Sequence, residues 1–131
     1  EEMVEFYVDT NNLGWNTMIK SKTTTGMQLR HVKTYSFDQL WLRDVNIQFI
    51  KIDTEGAEWK ILKGLRSTLK SLPCLPGMLI ELGWGINHPQ WTQVQTEIEA
   101  LFSIGYARIA YEVPNTQDIF LSGTCSGVYK K

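Results

Sequence analysis

Little in this sequence points to a special environment. It holds two cysteines, Cys74 and Cys125, in 131 residues. That is too few for a disulfide-framed scaffold, their spacing is not that of metal ligands, and spacing alone does not separate a bridge from two free thiols. No apolar run approaches the roughly 20 residues of a membrane helix. No secretory leader is visible, so the compartment is left open. Charge of neither sign prevails: 13 Lys and Arg face 14 Asp and Glu, for a net charge of −1. There is thus no electrostatic basis for binding nucleic acid or an anionic membrane, and Lys130 with Lys131 do not make a polybasic tail. Internal repeats and low-complexity segments are absent.

What remains is the composition of one folded domain. The chain is 43% hydrophobic and 21% charged, with five each of Trp, Tyr and Phe, which is enough apolar surface for a core and excludes disorder. The first residue is Glu1, and the strand pattern begins almost at once; a processed protein or an incomplete gene product opens in this way.

Val4, Phe6 and Val8 alternate with polar neighbours, the period of a half-buried strand. Residues 9–27, with Asn11, Asn12, Gly14 and Gly26, read as a long polar loop, and such loops are often functional. A second strand is expected at 28–34. Ser36 then opens a short helix, and Gln39 completes a capping box. Residues 47–53 (IQFIKID) suit a strand covered on both faces. A helix follows over about 55–72, with Ala57, Ile61, Leu65, Leu69 and Leu72 on its apolar face, ended by Pro73, Pro76 and Gly77. Residues 78–82 (MLIEL) form the next strand. Pro89 begins a further helix with the stripe Trp91, Val94, Ile98, Leu101 and Phe102, capped by Gly105. Strands at 106–112 and 118–122 finish the pattern. The links 53–78 and 82–106 each hold a helix, as between parallel neighbours joined by right-handed crossovers. The link 112–118 is too short for a crossover, so the last strand should run antiparallel. The expectation is an α/β sheet, mostly parallel, with an antiparallel last strand.

Ligands of such sheets bind beyond the carboxyl ends of the strands. Asp53 closes the third strand, Glu55 follows at the mouth of a helix, Glu81 lies near the end of the fourth strand and His88 in the loop after it. Carboxylates there can hold a hard cation, and His88 or a carboxylate can move a proton at a reacting hydroxyl. Each has a structural alternative. Asp53 and His88 can be helix caps, Glu55 and Glu58 solvated acids of a first turn, and Glu81 one half of a salt bridge. Trp84 and Trp91 can be packing residues, and Gly56 and Gly64 points of close helix–sheet approach.

The segment FIKIDTEGAEWKILKG at 49–64 closely resembles the hallmark of FkbM-type methyltransferases. VKTYSFDQL at 32–40, MLIEL at 78–82, GY at 105–106 and YEVPN at 111–115 resemble that family's flanking segments, and NNLGWNT at 11–17 is a looser match. The resemblance implies a class I methyltransferase-like (Rossmann-like) fold, with residues 1–131 as a partial domain. It implies S-adenosylmethionine as the cofactor and a small-molecule acceptor, usually the hydroxyl of a sugar or another metabolite. Under it Asp53 matches a residue that in many relatives faces donor and acceptor, Glu55 belongs to the family motif with its role unsettled, and Glu81 matches the family's fifth-strand glutamate. Together with the reading of the strand ends, the candidates are Asp53 and His88 for catalysis, Asp53 and Glu55 toward the cofactor, and Glu81 and Trp84 toward the substrate; no metal ligands are assigned and metal dependence stays open. The first strand here resembles the family's third. The family's Gly-rich turn and ribose-binding acid have no counterpart in these residues, so N-terminal strands are missing from the pattern, the sheet should expose an apolar edge, and the missing half is needed for activity. Two other readings stand beside this one. One is a metal-dependent sugar transferase built on Asp53-x-Glu55; the other is a non-catalytic binding or scaffold module from a decayed fold.

Overall fold

Residues 2–34 fold back on themselves instead of joining a sheet. The described residues of the link between the first two strands hold no crossover helix, so the chain returns antiparallel. β1 (Glu2–Asp9) pairs with β2 (Met27–Thr34) from Glu2 opposite Thr34 to Asp9 opposite Met27. In this computed structural model, which describes residues 1–20, 23, 25–40, 46–82, 85–109 and 118–124, the ribbon pairs with no other strand. The expected counterpart of the family's third strand is therefore one arm of a hairpin. Between its arms, Asp9 accepts from the amides of Asn11 and Asn12, and a short 3-10 turn at Leu13–Trp15 follows. Thr17 then pairs back onto Tyr7 through backbone bonds of 2.8 and 3.1 Å.

After α1 (Phe37–Leu40) the chain enters a four-stranded sheet made of β3 (Phe49–Ile52), β4 (Gly77–Ile80), β5 (Ala107–Arg108) and β6 (Ile119–Ser122). Its order is β3-β4-β6-β5. β3 and β4 are parallel, as their connecting helix requires, while β6 is antiparallel to both β4 and β5. The sheet is therefore mixed. β4 and β5 point the same way, as expected, but they are not neighbours. The crossover leaves one strand's width between them, and the returning β6 fills it. Of the expected strand 106–112, residues 110–112 lie outside the described residues.

The helices α2 (Glu58–Ser71) and α3 (Trp91–Ser103) pack together, joined by the Arg66–Glu97 ion pair. Leu62, Leu69, Val94, Met78, Ile80 and Leu121 fill the core they share with the sheet. The side chains of Leu62 and Leu69 are each worth roughly 2 kcal/mol of burial. Leu62 is nearly inaccessible although it lay outside the predicted stripe, while Phe102 at the end of α3 is 42% exposed. Gly105 caps α3 with a φ of 112°, as expected. Pro89 stands two residues ahead of α3 and not in its first turn.

α1 is set by the predicted capping box: the Ser36 amide donates to Gln39 Oε1. It docks on α2 at Gly64, where a Cβ would stand 3.1 Å from Ser36 Cβ. That glycine serves a helix–helix approach and not the helix–sheet approach expected. Asp38 accepts from the amides of Ser67 and Thr68 in α2. On the other flank β3 has no neighbour among the described residues, and Phe49 is 56% exposed. The expected open edge is thus present, with Lys51 as the charge that discourages stray pairing.

Candidate functional site

The parallel register of β3 and β4 sets two acids side by side. Ile52 lies opposite Ile80, so Asp53 and Glu81 leave the sheet together, and the Glu81 amide donates to Ile52 O at 2.9 Å. Lys51 lies two residues before Asp53, on the same face of the strand. Its Nζ is 2.8 Å from Asp53 Oδ2 and 3.5 Å from Glu81 Oε2. Hydrogen bonding and charge from Asp53, assisted by Glu81, hold the Lys51 ammonium above its ordinary pKa. All three side chains reach water, so this is a screened surface network of small energetic weight. Its effect is to fix where the Asp53 carboxylate stands.

The turn after Asp53 is unusual. Glu55 has a φ of 50° and Gly56 a φ of 104°. Two consecutive left-handed residues reverse the chain sharply, and the non-glycine one costs about 1–2 kcal/mol. Three side chains clamp the turn. Glu58, 3% exposed, accepts through Oε1 from the Thr54 amide, the Thr54 hydroxyl and the Gly56 amide at 3.2, 3.2 and 3.0 Å. The expectation of a solvated Glu58 is therefore corrected: its carboxylate folds back into the turn because buried amides there need an acceptor. Thr17, reaching in from the ribbon, donates its hydroxyl to Glu55 O at 2.7 Å. His88, 6% exposed, completes the clamp. Its Nδ1 accepts from the Gln90 amide at 2.9 Å, so Nε2 carries the proton and donates to Gly56 O at 2.7 Å. That pattern fixes the neutral ring in one tautomer.

Asp53 does not cap α2. The helix begins at Glu58 with Ala57 before it, and Ala57 makes no side-chain cap. The capping work falls to Glu58. Asp53 is left free of the helix, with its side chain 38% exposed.

Two clefts meet at Asp53. One, of about 730 Å³, lies between the ribbon, α1 and the start of α2. The other, also about 730 Å³, runs along the open edge of β3. Asp53, Thr54, Phe37 and Ile61 line both. Of the candidate site residues Asp53, Glu55, Glu81 and His88, Asp53 alone lines these clefts. Glu81 stands beside it through Lys51, while Glu55 and His88 belong to the turn and its clamp. Trp84 lies outside the described residues.

A family model for the methyltransferase FkbM domain matches residues 2–107. The chain belongs to the FkbM methyltransferase family. The match runs from the ribbon through the clamped turn to the start of β5, and it supports a methyltransferase-like function. No curated protein and no solved structure matches the chain. Within this FkbM domain, sequence reasoning overlooked Lys51, Thr17 and the inward fold of Glu58. Lys51 was detectable, since residues two apart in a strand share a face. Thr17 carried no local signal, because its partner is 38 positions away.

Proposed function

We propose that this FkbM domain belongs to an S-adenosylmethionine-dependent O-methyltransferase of class I type that acts on a hydroxyl of a sugar or another small metabolite. The observation that carries the proposal is the place of Asp53: at the carboxyl edge of parallel strands, at the junction of two clefts, ahead of a turn clamped from three sides. The residues present fit such a cofactor in part. Asp53 and Thr54 line both clefts, so a donor in one and an acceptor in the other would meet there, whereas the family's Gly-rich turn after its first strand has no counterpart among the described residues. When bound, S-adenosylmethionine supplies an electrophilic methyl group.

This chain's own residues do the rest. Lys51 holds Oδ2 of Asp53, which leaves Oδ1 to receive the proton of the acceptor hydroxyl. Glu81 steadies Lys51 and meets the acceptor's other hydroxyls. Glu55 shapes the turn at the cofactor side. His88 is a positioning residue, since both of its ring nitrogens are bonded within the clamp. The test is methyl transfer from tritiated S-adenosylmethionine to hydroxylated acceptors by the full natural polypeptide that carries these residues. Asp53→Asn is expected to lower the rate by roughly 10²-fold or more with the melting temperature nearly unchanged. An Asn variant as active as the wild type removes Asp53 from the chemistry. A wild-type protein that neither binds the donor nor transfers methyl leaves the scaffold reading standing.

A further inference from the structure

We infer that the groove between α3 and β5 seats a second copy of this chain, in a two-fold contact that sets α3 antiparallel to its counterpart. The groove, of about 510 Å³, shares no lining residue with the clefts at Asp53, so the inference stands apart from the proposed function. α3 carries two stripes. Val94, Ile98 and Leu101 enter the core. Trp91, Gln95, Glu99 and Phe102 follow at helical spacing on the adjoining face and line the groove. Trp91 is half-buried, Phe102 is 42% exposed, and Ile86, in the turn ahead of α3, is 74% exposed on the same groove. Large apolar side chains exposed around one groove mark a contact surface.

Charge and symmetry point to an identical partner. Glu99 and Arg108 both line the groove, and neither joins an ion pair among the described residues. A partner of one charge sign would set a like charge against one of them. An identical patch brings one anion and one cation of its own. The stripe on α3 also has an aromatic ring at each end, with an amide and a carboxylate between them. A two-fold axis crossing the midpoint of α3 sets Trp91 against the second copy's Phe102, and the Gln95 amide against the second copy's Glu99 carboxylate, which accepts its hydrogen bond. A parallel arrangement would instead set Glu99 against Glu99. The contact also reaches the clamp. Ile86 lies in the short turn Gly85–Asn87, directly before His88, whose ring holds Gly56 O. A copy seated on Ile86 braces the mount of His88.

The test is analytical ultracentrifugation of the full natural polypeptide over a wide range of concentration. A dimer that dissociates on dilution is expected. Phe102→Lys and Ile86→Lys, both at exposed positions, should each weaken it by about tenfold or more. Their melting temperatures in dilute protein should match the wild type. Leu29→Lys, at an exposed position of the ribbon outside the groove, should leave the dimer unchanged. Cross-linking reads the direction: Gln95→Cys protein mixed with Glu99→Cys protein should be joined by a short bis-maleimide more readily than either protein alone. A polypeptide that stays monomeric overturns the inference, whether the groove is open or covered by another segment or a different protein. A dimer that survives both groove variants, or one lost equally in the Leu29 variant, overturns it as well. Faster cross-linking of Glu99→Cys to itself would refute the antiparallel contact.

Discussion

Glu58 gives the sharpest test of how the turn is held. Its carboxylate is 3% exposed and takes both Thr54 donors and the Gly56 amide. In Glu58→Ala the two groups on Thr54, which is half-buried, regain water at little cost. The Gly56 amide is buried and has no such recourse. An unsatisfied buried donor costs about 1–3 kcal/mol, and the lost charge-assisted bonds add a similar amount. The expected loss is therefore about 3 kcal/mol, or a fall in melting temperature of roughly 10 °C for a domain of this size. Glu58→Gln keeps one acceptor oxygen and should lose about 1 kcal/mol. Thermal and urea unfolding of both variants decide the matter. Because the turn follows directly on Asp53, amide exchange at Gly56 should quicken in the Ala variant before the core opens. Equal losses for Ala and Gln, or a loss below about 0.5 kcal/mol for Ala, would refute the clamp, since the first would indicate charge alone and the second a carboxylate without structural weight.

Four further outcomes are expected. Burial raises the Asp38 pKa, but the bonds from Thr68 and Ser67 outweigh it and the net shift is downward; its contribution is complete above the unfolded value near ~3.9 and fades as pH falls through the folded one, so Asp38→Asn should flatten the acid limb of a melting-temperature profile. Burial pushes the Tyr106 hydroxyl up to about 12, so its contribution is present below the unfolded value near ~10 and is lost as pH rises through about 12. Tyr106→Phe should remove that alkaline limb and cost nothing at neutral pH, because the hydroxyl has no partner among the described residues. Cys74 is disulfide-bonded, so a reducing agent should lower stability by about 2–4 kcal/mol, and an unchanged melting curve would count against the bridge. These 131 residues alone should bind S-adenosylmethionine more weakly than about 10 μM, roughly −7 kcal/mol; tighter binding by calorimetry would mean that the donor needs no Gly-rich turn.

The elements that sequence revealed are those whose cause is local. The apolar stripe of α2, the Ser36–Gln39 box and the Gly105 cap each rest on neighbours a few positions apart, and each stands where it was expected. The apolar run 47–53 does give a strand, Phe49–Ile52, but not one covered on both faces, since Phe49 and Lys51 are exposed. What it did not reveal depends on distant partners. Nothing within 106–122 specifies that β6 enters between β4 and β5, because strand order is settled by which apolar edge is vacant once the crossovers have formed. The alternation in β1 gave neither its buried face, since Tyr7 is buried while Phe6 and Val8 are half-buried, nor its partner, which the lack of a crossover helix among the described residues of 9–27 restricts to an antiparallel neighbour. The same division runs through the site. The place of Asp53 follows from the direction of its strand, whereas His88 became intelligible only when Gly56 O was found 2.7 Å from its ring.

The turn itself argues for a purpose beyond starting a helix. A helix N-terminus needs one side-chain acceptor over its first amides, and Ser, Thr, Asp or Asn directly before the helix provides it without backbone strain. Here the chain places Ala57 at that position and spends two left-handed residues, one of them a glutamate, to bring Glu58 back over the turn. It then ties the two strained carbonyls to different parts of the molecule, Glu55 O to Thr17 of the ribbon and Gly56 O to His88 ahead of α3. For helix initiation alone these ties are superfluous. They are what is required if Asp53, which stands just outside the turn, must keep one position while ligands come and go in the clefts on either side. Strain held by several independent partners at the mouth of two clefts is the signature of a pre-organised site. On the proposed function, an order of severity in turnover follows. Loss of Thr17 or His88 should raise the spread of Asp53 positions and lower turnover without abolishing it, whereas Asp53→Asn would remove the group proposed to act.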